Sequence, residues 1–283
     1  MNTRTSRMLP AGATNAAIAD TPSRLRIPQP ELLCSLGLAL VLLGLAEASA
    51  RFGWVSPMIL PRPTQVAQVL VEGLRDGYFL ANIFSSLASL VAGFAAAFGA
   101  AIALAGLLST SRFAERVLTP YIIAFQSMPK VAIAPLVVLW LGFGELSKVT
   151  IVAIVCFFPI MVNTVQGLKV RDRDHDELLR SLDASRWQHF RLMRMPHAVP
   201  YIFAGVRIGA VFALIGVVVA EFVGTNAGIG FALLQAKAQF DVPGVYACLV
   251  ILMAMGLLLS FATSLVERGV ARWMGEPNTA SGS

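Results

Sequence analysis

Residues Arg171 to Pro196 read RDRDHDELLRSLDASRWQHFRLMRMP. The stretch is polar and basic, and apolar runs flank it at about 146–166 and about 199–223. Each flank reaches the ~20 residues that an α-helix needs to cross a hydrocarbon core ~30 Å thick. A charged, helix-patterned segment between two such runs is costly to carry unless something on that face of the membrane binds it. What it binds then decides what the protein does.

Composition agrees with a membrane setting. The 283-residue chain has a mean hydropathy of +0.72 and only 13% charged residues, against about 25% for a soluble domain. Six blocks of span length hold at most two charged residues each: about 32–50, 82–108, 120–141, 146–166, 199–223 and 245–267. An all-α, polytopic bundle of six transmembrane helices follows. With the N-terminus inside, fifteen Lys and Arg fall on inner segments and five (Arg51, Arg62, Arg75, Lys148, Lys237) on outer ones. The excess of basic residues on cytoplasmic loops then puts both termini in the cytoplasm. The net charge of +6 is explained by this orientation, so no nucleic-acid partner is expected.

Residues 1–30 are polar and rich in Ala, Thr, Arg and Pro, which reads as a disordered cytoplasmic tail rather than a cleaved signal peptide. The span region then covers 31–270, and 271–283 is a short cytoplasmic tail. Cys34, Cys156 and Cys248 lie inside apolar runs without metal spacing. They read as small apolar residues. His175, His189 and His197 show no ligand spacing either, and no cofactor is expected.

Two outer segments are more than loops. Leu60-Pro61-Arg62-Pro63-Thr64 is a stop followed by a helix start, with Thr64 as a cap and Val66, Val69, Leu70 and Leu74 on one face. Gly224-Thr225-Asn226-Ala227-Gly228-Ile229-Gly230 breaks the fifth span, and the apolar run after it is too short to cross. A surface or re-entrant helix is expected there.

Within the charged stretch, Asp176–Leu182 and Ala184–Met195 both read as helix. Leu178, Leu179 and Leu182 share a face, while Trp187 and Phe190 supply apolar contact beside Arg186, Arg191 and Arg194. Asp183 lies between the halves, where Asp tolerates a turn and makes a good N-cap. The result is a helical elbow with an apolar face and basic edges, suited to a groove on another protein. Exposed aromatic residues favour a partner over a merely solvated loop.

At this elbow the chain resembles the permease subunits of ABC importers. Their hallmark is Glu-Ala-Ala, three residues, Gly, nine residues, Ile, one residue, Leu-Pro. Glu177 matches the Glu, Leu178-Leu179 replace the alanines, and Asp183 stands at the Gly. Met193 and Met195 stand for Ile and Leu, and Pro196 matches the Pro. Asp pays for a left-handed conformation that Gly adopts freely. The likeness runs from about 54 to 268. Met128-Pro129-Lys130-Val131-Ala132-Ile133-Ala134-Pro135-Leu136, Leu139-Trp140-Leu141-Gly142-Phe143-Gly144 and Ala220-Glu221 are similar to the nitrate, sulfonate, taurine and bicarbonate branch. Pro129-Lys130 also resembles permeases for thiamine-precursor pyrimidines. The resemblance implies a type I ABC importer permease in a bacterial inner membrane, surrounded by lipid. It implies a homodimer, two cytoplasmic ATPase subunits, a solute-binding protein, and residues 167–198 as the coupling loop. The sequence lacks a GxxxxGK[S/T] phosphate loop, so ATP hydrolysis belongs to another chain and this one is not an enzyme.

Charged residues in spans are functional candidates. Glu47 is expected to pair with Arg51, and Arg207 to snorkel. Glu221 lies near the outer end of the fifth span, where it lines the pore mouth, meets the binding protein or pairs within the dimer. Lys130 either satisfies carbonyls freed by Pro129 or attracts substrate. A secondary transporter would show an inverted repeat, and a membrane enzyme a nucleophile or metal cluster. The sequence shows neither.

Overall fold

A computed structural model describes residues 29–169, 185, 188 and 195–273, and every regular element among them is helical. The helices are α1 (Gln29–Arg51), α2 (Pro63–Arg75), α3 (Tyr78–Thr110), α4 (Arg112–Ser127), α5 (Ala134–Leu141) and α6 (Glu145–Lys169), followed by α7 (Met195–Gly224), α8 (Ile229–Ala238) and α9 (Val242–Trp273). The expected N-terminal tail lies outside the described residues up to residue 28, and the C-terminal one from residue 274.

Five of these helices, α1, α3, α6, α7 and α9, are each long and apolar enough to cross a membrane. The third expected span differs. It is not one helix but α4 followed by Lys130–Leu141, bent by 87°. Pro129 is the cause: it offers no N–H, and the residue before it, Met128, is driven to extended backbone (φ −74°, ψ 136°). A 3₁₀ turn over Lys130–Ile133 restarts the chain into α5.

The helix α6 sits between α3 and α7, its two most extensive contacts. Leu90, Ala97, Ala101, Val152, Cys156, Ile160, Ala213 and Val217 form the shared core. Small residues let these helices approach closely, as packing in a membrane favours. A Cβ on Gly93 of α3 would lie 2.6 Å from Val152 Cβ, and one on Gly167 of α6 would lie 2.7 Å from Tyr201 Cβ. Cys156 and Cys248 are buried among apolar side chains.

In the sequence the elbow joins the end of α6 to the start of α7, and α2 and α8 lie at the opposite end of the bundle. The apolar stripe Val66, Val69, Leu70 and Leu74 of α2 packs against Phe79, Ile229, Ala247 and Cys248. Thr64 does not cap α2. Pro63 occupies the first turn and Arg62 the cap position, with no side-chain cap bond. Instead, the Thr64 backbone N–H (3.2 Å) and hydroxyl (3.1 Å) donate to the Glu47 carboxylate of α1. That carboxylate also accepts from Arg51 Nε at 2.7 Å, the expected pair. Arg207 has a carboxylate partner, Glu267 of α9, rather than snorkelling alone.

Candidate functional site

Glu221 arrives on α7 and is only 1% exposed. Its carboxylate is fully engaged. Ser86 Oγ donates to Oε1 at 2.6 Å, and Gly230 N–H donates to Oε2 at 2.7 Å. Two more first-turn amides of α8 are met from α3: Gly228 N–H donates to Asn82 Oδ1 (2.8 Å) and Ile229 N–H to Ser86 Oγ (2.9 Å). Helix N-termini leave four N–H groups without intrahelical partners. The cap residue of α8, Gly228, has no side chain to meet them. Three side chains from two neighbouring helices do so instead, and the negative one suits the positive end of the helix dipole. Gly228 is held at φ +123°, and a Cβ there would fall 1.9 Å from Glu221 Oε1.

A second polar cluster adjoins the first. Lys148 of α6 is only 1% exposed, although the sequence places it among the outer basic residues. Its ammonium pairs with Glu145 Oε1 at 2.5 Å and donates to Ser85 Oγ at 2.8 Å. Ser89 Oγ donates to Glu145 Oε2 at 2.5 Å. Sequence reasoning missed this cluster. Its signal was present: Asn82, Ser85, Ser86 and Ser89 recur at the spacing of one helical face, and Glu145 and Lys148 stand three apart. Among the described residues no buried side-chain polar atom lacks a partner.

Lys130 stands apart from both clusters, at the bend between α4 and α5. Its ammonium donates to the Gln126 carbonyl at 3.4 Å and lies 5.1 Å from the centroid of the Phe158 ring. The contact with Gln126 corresponds to one of the two roles that the sequence left open for Lys130, a donor to carbonyls near Pro129.

Most of the elbow lies outside the described residues: Glu177, Leu178, Leu179, Asp183, Arg186, Trp187 and Phe190. Pro196 falls in the first turn of α7 and is exposed. Ser185 and Gln188 are described and form a reciprocal cap. Gln188 N–H donates to Ser185 Oγ at 3.3 Å, and Ser185 N–H donates to Gln188 Oε1 at 2.7 Å. This is a capping box of the Ser-x-x-Gln type, and sequence reasoning considered only Asp183 for the cap. Replacing Ser185 with Ala is expected to weaken the helix start by about 1 kcal/mol. Faster amide hydrogen exchange at Gln188 would report it. At the same end, Lys169 Nζ of α6 pairs with Glu115 of α4 at 2.7 Å.

Comparison with known proteins follows the same outline. Residues 78–272 match the family described as binding-protein-dependent transport system inner membrane component. The formylaminopyrimidine transport permease protein ThiX of Halalkalibacterium halodurans is 34% identical over 83% of this chain and 93% of its own. The riboflavin transport system permease protein RibX of Chloroflexus aurantiacus is 35% identical over 84% and 90%. A putative aliphatic sulfonates transport permease protein, SsuC of Bacillus subtilis, is 29% identical over 92% and 94%. Among solved structures, the inward-facing MetNI methionine ABC transporter matches with a TM-score of 0.58 at 18% identity. That match covers 68% of this chain and 95% of the other. An amino acid ABC transporter with histidines matches with a TM-score of 0.59 at 18% identity, over 70% and 97%. The family match covers the helices that carry the polar clusters and the bend at Lys130.

Proposed function

Because this chain belongs to the binding-protein-dependent transport system inner membrane components, we infer that it is the permease of an ATP-driven importer, fed by a solute-binding protein and driven by a separate ATPase. The observation that carries this reading is the family match over 78–272, which takes in helices α3 to α9 and the elbow. The full-length permease relatives support it.

The elbow is the coupling element. Glu177, Leu178, Leu179, Asp183, Arg186, Trp187, Phe190 and Pro196 form its docking surface on the ATPase. Two copies of the chain enclose the translocation path, with Lys130 along it and lipid around the outer faces; Glu221, expected from the sequence at the same path, is enclosed within each copy as the cap of α8. Both termini lie in the cytoplasm of a bacterial cell, as the distribution of Lys and Arg supports. Glu177→Lys is expected to lower ATP-driven uptake about tenfold or more, since like charge across an interface costs several kcal/mol, while ATP hydrolysis continues. Unchanged coupling would remove Glu177 from the interface. Copurification tests the whole reading: a gently solubilised complex should carry an ATPase subunit, and its absence would sink the assignment.

Two substrate classes have support. Pyrimidine-type solutes are favoured by the ThiX relative and by Met128-Pro129-Lys130. Sulfonates are favoured by the SsuC relatives and by the motifs shared with that branch. Calorimetry of the associated solute-binding protein with formylaminopyrimidine and with ethanesulfonate separates them.

A further inference from the structure

The bend between α4 and α5 lies at mid-depth. The Lys130 ammonium rests over Phe158 of α6. Phe158 is 13 residues from Glu145 and 11 from Lys169. At 1.5 Å per residue that is about 20 Å from one end of the span and about 17 Å from the other. A lysine at the centre of a membrane costs roughly 2.5–3.5 kcal/mol on insertion scales, and such residues pair or mark a pathway. Among the described residues no carboxylate lies within salt-bridge distance of Lys130. Its neighbours are a carbonyl and a ring face, both neutral.

The backbone points the same way. Gln126, Ser127, Met128 and Pro129 are exposed in the single chain, and Met128 and Pro129 are extended. Irregular backbone at membrane depth is tolerated only where protein covers it or water reaches it. In secondary transporters, helices broken near the midplane hold the solute, and the same exposed backbone groups are available here. An ammonium has three donors and no acceptor, and one donor is used on Gln126.

We propose that Lys130, with the Gln126 carbonyl and the Phe158 ring beside it, forms a mid-membrane solute site for a molecule that offers an acceptor to the ammonium. A sulfonate oxygen and a pyrimidine ring nitrogen both meet this description, and the ring face of Phe158 suits the flat heterocycle as well. The site rests on the importer reading for its physiological use, but its access to water does not.

The test uses the full complex of permease, ATPase and binding protein in liposomes. One arm follows ethanesulfonate and the other formylaminopyrimidine. Lys130→Gln is expected to lower uptake of the transported solute about tenfold, the worth of one charged hydrogen bond. Melting temperature and unstimulated ATP hydrolysis should hold, and Lys130→Arg should restore part of the uptake. In parallel, Lys130→Cys on a Cys34→Ser background is expected to react with the water-soluble, anionic reagent 2-sulfonatoethyl methanethiosulfonate. Wild-type uptake by Lys130→Gln would overturn the proposal. So would a loss of uptake matched by falls in melting temperature and basal hydrolysis, which would mark Lys130 as a structural cap only. A thiol at 130 that stays unreactive with and without ATP would overturn it too. Absence of ATP-driven uptake in the unmutated complex, with the thiol still reactive, supports the site and counts against the importer reading alone.

Discussion

Glu221→Ala should strip α8 of its cap and cost about 3–5 kcal/mol of stability. The carboxylate accepts from Gly230 N–H and Ser86 Oγ in a buried setting. Each buried donor left without an acceptor costs ~1–3 kcal/mol, and the emptied space adds a cavity term. Glu221→Gln keeps one carbonyl oxygen and nearly the same volume, so its cost should be about 1 kcal/mol. Thermal unfolding of the detergent-solubilised protein should therefore rank wild type, Gln and Ala in that order. Equal loss for Gln and Ala would mean that charge, not acceptor geometry, holds α8. Gly228→Ala offers an independent check. Its Cβ collides with Glu221 Oε1, so part of its cost should vanish when combined with Glu221→Ala. Neighbours that share a contact are non-additive in this way.

Gly93→Leu is the second large effect. A side chain at this position meets Val152 Cβ at 2.6 Å and the Val149 carbonyl oxygen at 2.7 Å. The second of these is backbone and cannot turn aside, so α3 and α6 must part along their contact. Overpacking of a tight interior costs ~1–3 kcal/mol, and more where backbone must move. We expect at least 3 kcal/mol and a sharp fall in folded protein recovered from membranes. Gly99→Leu is the control, because the same helix has open space there. Equal yields from the two variants would show that the α3–α6 contact has slack.

The spans were legible in the sequence because their signal is local: runs of apolar residues of the right length. The bend between α4 and α5 was not, although Pro129 was visible. A proline in a membrane helix is compatible with a mild kink or a full break. Which one occurs depends on packing of Ala134, Val137 and Val138 against Ile151, Val155 and Ala220, which lie up to 86 residues away. Thr64 misled for a related reason. Its hydroxyl had the chemistry of a cap, but Pro63 had already taken the first turn and Glu47 waited 17 residues upstream. Lys148 was misplaced because a lysine at the edge of an apolar run looks like a loop residue. Only the serines of α3 reveal that it is enclosed. Glu221 was recognised as a candidate from its position alone, yet its partners are Ser86 of α3 and the Gly230 amide of a helix that begins eight residues later.

The close contacts of α6 and α7 have a mechanical consequence. Gly167 against Ala198 and Tyr201, Gly205 and Gly209 against Ile160, and Gly216 against Val152 seat the two helices backbone to backbone along their length. Packed interiors have low compressibility and pass strain onward. The pair is therefore a stiff beam: a tilt applied where the elbow emerges, at Lys169 and Met195, arrives at Glu221 with little damping. There the beam grips α8 by its first turn and α3 by Ser86. A rocking motion imposed at one end of this pair would therefore displace α8 at the other, with Glu221 as the joint between beam and load.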